Sequence, residues 1–66
     1  MDYPQRVRVR RTKSAGMYAG EAGVAREQIT VKAADGGEQT RVAVQLDARA
    51  VPQLFDPADL EPEDAA

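Results

Sequence analysis

The sequence predicts an all-β domain, with five short strands closed into one small barrel. Three observations carry that expectation. Apolar and polar residues alternate with period two in residues 6–10, 29–33 and 40–46, the pattern of strands buried on one face. Turn-forming residues separate the runs, Asp35-Gly36-Gly37 most clearly. Finally, 66 residues with a hydrophobic fraction of 42%, twelve of them alanine, allow only one thin core. Closure into a barrel leaves such a chain few free edges.

In order along the chain, residues 1–5 read as a flexible leader. In residues 6–10, Val7 and Val9 take one face of a strand while Arg6, Arg8 and Arg10 take the other. Residues 12–23 lack a period and hold Gly16, Gly20 and Gly23, so they read as a long structured loop. A short helix over residues 20–28 is the competitor, disfavoured by two early glycines. From Val24 the chain reads as extended to Ala33, with Ile29, Val31 and Ala33 inward. The same parity turns Glu27 inward, so a bend or bulge is expected near residues 26–28. After the Asp-Gly turn, residues 40–46 place Val42, Val44 and Leu46 inward.

A weaker turn at residues 47–50 precedes a strand over residues 51–55, with Pro52 marking an edge or bulge. Asp56-Pro57-Ala58-Asp59 reads as a single 3-10 turn with Asp56 as cap and Pro57 at its first position. Leu60 and Glu61 add a last short strand before Pro62, and residues 63–66 read as a disordered acidic tail. The expected domain spans residues 6–62. Its core is Val7, Val9, Ala25, Ile29, Val31, Val42, Val44, Leu46, Leu54 and Leu60, with Phe55 added.

Residues 6–11, Tyr18-Ala19-Gly20-Glu21-Ala22-Gly23-Val24-Ala25, residues 41–46, Leu54-Phe55 and Ala58-Asp59-Leu60-Glu61-Pro62 together resemble an SH3-like small β-barrel. The pattern is similar to KOW-type domains and to the small SH3-like accessory subunits of photosynthetic complexes. It covers nearly all of residues 6–62 and departs from the KOW pattern at Ala25, where a branched apolar residue is usual. The resemblance implies partner binding through the first loop and adjacent strand faces.

Composition excludes much of the rest. The chain has no cysteine and no histidine, so disulfides, thiol nucleophiles, imidazole catalysis and structural zinc are excluded. Ser14 is the only serine and has no imidazole to activate it. The acids Asp56, Asp59, Glu61, Glu63 and Asp64 lack the spacing of a calcium loop. No phosphate loop is present, and no apolar run reaches the ~20 residues of a membrane span. The sequence therefore predicts a non-enzyme without cofactor or metal, cytoplasmic and not inserted in a membrane.

Two functions fit. The first is a protein-interaction module, an accessory or regulatory subunit docking on a larger complex. Its candidate contacts are Met17, Tyr18, Tyr3 and Phe55, with Leu54 beside the acidic turn. A homodimer through an edge near Pro52 or through the first loop is compatible with it. The second is nucleic-acid binding through Arg6, Arg8 and Arg10, extended by Arg11 and Lys13. Three side chains at ~6–7 Å intervals along a strand can follow a phosphate backbone. The net charge of −2 conceals a basic start and an acidic end, so the two ends could instead neutralise each other.

Overall fold

The computed structural model describes residues 2–63. The chain is all-β. Five strands, β1 (Gln5–Val9), β2 (Ala22–Lys32), β3 (Glu38–Leu46), β4 (Gln53–Phe55) and β5 (Leu60–Pro62), form one antiparallel sheet in the order β4-β3-β2-β1-β5. The ladder leaves β4 and β5 at its two ends. Two isolated 3-10 turns, Gly16–Tyr18 and Pro57–Asp59, complete the described residues. The helix considered for residues 20–28 is replaced by the start of β2.

The core forms where the ladders overlap. Val7 and Val9 of β1, Ala25 of β2, Val42, Val44 and Leu46 of β3, Phe55 and Leu60 are buried, as the alternation requires. Ala15 joins them from the first loop, a position that carries no period to reveal it. Gly23 lies inside β2 rather than in the loop. An added Cβ there would collide with the Gln45 carbonyl oxygen and sit 2.6 Å from the Leu46 Cα. The two backbones can cross this closely only because the side chain is missing.

Three residues expected in the core lie elsewhere. Ala25 faces Val44, whereas Glu27 faces Ala43, so Arg26 is an extra, unpaired residue in β2. This is the bulge expected near Glu27, and it keeps that carboxylate exposed. It also changes the frame of everything after it. Ile29 and Val31 now face Arg41 and Gln39, not the row of Val42 and Val44, and are only half-buried. Leu54, the third, is 52% exposed, because alternation in β4 lets only one of Leu54 and Phe55 face inward and Phe55 takes that place.

The turn between β2 and β3 is built as Asp-Gly-Gly predicts. Gly36 has φ +89°, the Gly36 amide donates to the Ala33 carbonyl, and the Ala33 amide donates to Gly37. The Asp35 carboxylate accepts from the Gly37 amide at 2.9 Å. The turn at Pro57–Asp59 also follows its sequence, with Asp56 accepting from the Ala58 amide at 2.9 Å.

Candidate functional site: the first loop and the β4 groove

The first loop leaves β1 at Arg10 and returns at Ala22, and it must be held down to present anything. One buried carboxylate does this. Asp59 is 7% exposed and accepts hydrogen bonds from the Ser14 hydroxyl at 2.6 Å and the Thr12 hydroxyl at 2.8 Å. Thr12 in turn accepts from the Ala15 amide at 3.2 Å, and the Arg10 amide donates to the Asp59 carbonyl at 2.7 Å. The Ser14 and Thr12 hydroxyls hold the Asp59 carboxyl below the usual carboxylate range, with a smaller contribution from Arg41, against the opposing effect of burial. Ser14, assessed above as a nucleophile, is a loop clamp. In sequence Asp59 looks like one more member of an acidic run; the signal that could single it out is its place at the end of a capped turn, directly before an apolar strand residue.

With the loop clamped, its turn Gly16–Tyr18 lies against β4. Gly16 supplies a φ of +56° at its start. The Tyr18 ring packs edge-on against Phe55, with centroids 5.6 Å apart, and carries the Arg49 guanidinium 4.8 Å above its centroid. Arg49 is fixed by a 2.8 Å ion pair to Glu21, which lowers the Glu21 pKa below its ordinary value. Between loop and strand runs a groove bordered by Met17, Tyr18, Leu54, Phe55, Arg41 and Asp56. Met17, 72% exposed, and Leu54 are two of the large apolar side chains presented to solvent; Val51 is another.

The sequence-derived contact residues therefore separate. Met17 and Tyr18 line the groove, while Phe55 is core and shapes the groove floor through Tyr18. Tyr3 stands apart, half-buried, with its hydroxyl donating to Gln28 Oε1 at 3.3 Å.

The arginine strand is largely occupied by acids. Arg6 makes a two-pronged contact with Asp47 at 2.7 and 2.8 Å and bonds Glu63 at 2.9 Å. Asp47 and Glu63 raise its pKa further, and Arg6 in turn holds the Asp47 carboxyl low. Arg8 reaches Glu63 at 3.0 Å and the Gly20 carbonyl at 2.9 Å. Arg10 stands 4.0 Å from Glu61. Glu63, placed in the tail by sequence, also donates its amide to the Arg6 carbonyl at 3.0 Å; residues 64–66 lie outside the described residues. Among the described residues Arg11 and Lys13 make no ion pair. No helix among them is long and apolar enough to cross a membrane. Set against protein-family models, curated proteins and solved structures, the chain finds no match in any of the three comparisons.

Proposed function

We propose that this chain is a non-catalytic protein-interaction module of SH3-like barrel type, a small accessory or regulatory subunit that docks on a larger protein complex. The observation that carries the reading is the pairing of Met17 and Leu54 on the two sides of one groove, each exposed, over a floor of Tyr18 and Phe55. Exposed apolar side chains grouped on a rigid floor and rimmed by charge, here Arg41 and Asp56, are the features of a docking surface. The partner element that fits is an apolar side chain in a polar surround. The SH3-like resemblance of the sequence supports the barrel type; the ladder itself, β4-β3-β2-β1-β5, is an open sheet with no pairing between β4 and β5 among the described residues.

Affinity capture from the source cell tests the docking role, with the wild-type chain and the Met17→Asp and Leu54→Asp variants as baits. Both sites are exposed, so both variants keep the wild-type melting transition. The expected result is one protein recovered at fixed stoichiometry by the wild type and lost by both variants. Recovery that neither variant changes, or no recovery at all, overturns the proposal.

The alternative, a nucleic-acid surface, rests on Arg10, Arg11 and Lys13, because Arg6 and Arg8 already hold carboxylates. It requires oligonucleotide binding that weakens steeply with added salt and disappears in Arg11→Glu.

A further inference from the structure

The pairing of β2 leaves part of one edge open. β1 covers that edge only as far as Ala25, whereas β2 runs on to Lys32 beside β3. The leader closes a little more, reaching Gln28 through the Tyr3 hydroxyl. The Ala33 amide points to Gly37, and antiparallel pairs alternate, so Val31 and Ile29 also direct their backbone groups to β3. Lys32, Thr30 and Gln28 direct theirs outward, to an edge that no strand among the described residues occupies.

We infer that this edge pairs with the same edge of a second copy, in an antiparallel register centred on Thr30. In a two-fold pairing of identical strands, residues opposite one another must lie on the same face, so the axis passes through a residue. Only three residues present outward groups, and two of them fail as centres. Centring on Gln28 opposes Lys32 to Val24, whose edge is already taken by Arg6 of β1. Centring on Lys32 sets ammonium against ammonium, which is destabilising between directly opposed strand positions. Centring on Thr30 places Thr30 against itself, Gln28 against Lys32, and Ile29 against Val31 twice. The last two contacts are β-branched cross-strand pairs, the favourable kind, and they cover the two half-buried residues that the bulge moved out of the core row. The β3 edge of the same hairpin offers no equivalent. Centring there on Glu38 opposes two carboxylates, and centring on Thr40 requires Val42, which is paired to Phe55. The occupant is therefore a second copy of this chain at β2, not at the edge near Pro52 or the first loop.

Sedimentation equilibrium over a wide concentration range is the test, with two proline variants. Thr30→Pro removes an outward amide at the centre of the pairing and spares the bonds between β2 and β3. Thr40→Pro removes the corresponding outward amide on the opposite edge, a matched perturbation of the same hairpin. The expected result is a wild-type mass rising to twice 7.1 kDa, retained by Thr40→Pro and lost by Thr30→Pro. Thr30→Cys, in a chain otherwise free of cysteine, should form a covalent dimer under mild oxidation, since directly paired Cα atoms at ~5.5 Å suit a disulfide. Thr40→Cys should not. A wild type that stays monomeric at every concentration, or a dimer insensitive to Thr30→Pro, overturns the inference. Because neither Met17 nor Leu54 takes part in this pairing, failure here leaves the docking reading standing, and the converse also holds.

Discussion

The two ends of the β2–β3 hairpin use the same backbone ladder for opposite purposes. At the near end, β1 and β4 flank it on both sides and Ala25, Val42, Val44 and Leu46 are sealed in the core. At the far end, from the Ile29–Arg41 pair to the turn, it is a two-stranded ribbon in which Ile29, Val31, Ala33 and Arg41 are half-buried and the other residues exposed. The contrast shows that strand length and core membership are separate properties. A strand can continue well past the point where its neighbours stop supplying burial.

One substitution placed at both ends should break the comparison most sharply. Val44→Asp puts an unpaired charge in the core and should abolish the cooperative thermal transition. Val31→Asp, measured at low concentration, should leave that transition in place and cost about 1 kcal/mol or less. Gly23→Ala follows. Its Cβ meets backbone rather than a movable side chain, so the strands must part; a loss of more than ~3 kcal/mol is expected in chemical denaturation.

Next in size is Asp59→Ala, which leaves Thr12 and Ser14 without their acceptor and should cost about 1–3 kcal/mol. The same residue sets a pH dependence. A carboxyl whose folded pKa is depressed contributes stability that is complete above its ordinary pKa and is lost as the pH falls through the folded value. Asp59, Asp47 and Glu21 all shift this way, so stability should be level near neutrality and decline below the ordinary values of 3.8 and 4.5. Asp59→Asn should make the acid limb of a Tm–pH curve shallower. Smallest of all is Arg10→Ala. Its contact with Glu61 is long and exposed, and Tm should move by no more than the error of the measurement.

Most of the sheet is legible in the sequence because its signals are local. Alternation marks Val7 and Val9, and Val42, Val44 and Leu46; glycine and aspartate mark the turn; Asp56 and Pro57 mark the 3-10 turn. The frame beyond Arg26 is less so. Glu27 announces a bulge, but whether the strand keeps or changes face after it depends on which residue β3 leaves unpaired, and that is decided across the ladder. The groove is partly legible. Met17 and Tyr18 stand out as large apolar residues in a loop of small ones. Leu54 requires a choice between two adjacent residues, and Asp59 requires knowing that a loop some 45 positions earlier folds back onto it.

The bulge at Arg26 also amounts to a choice between two reading frames of the same strand. In an uninterrupted β2, Ala25, Glu27, Ile29 and Val31 would all share the core face, and the Glu27 carboxylate would turn inward next to Ala25. The extra residue expels the acid and carries Ile29 and Val31 out with it. A single glutamate thus decides which face of the ribbon carries Ile29 and Val31, while the end of the flanking strands leaves Gln28, Thr30 and Lys32 exposed on the other.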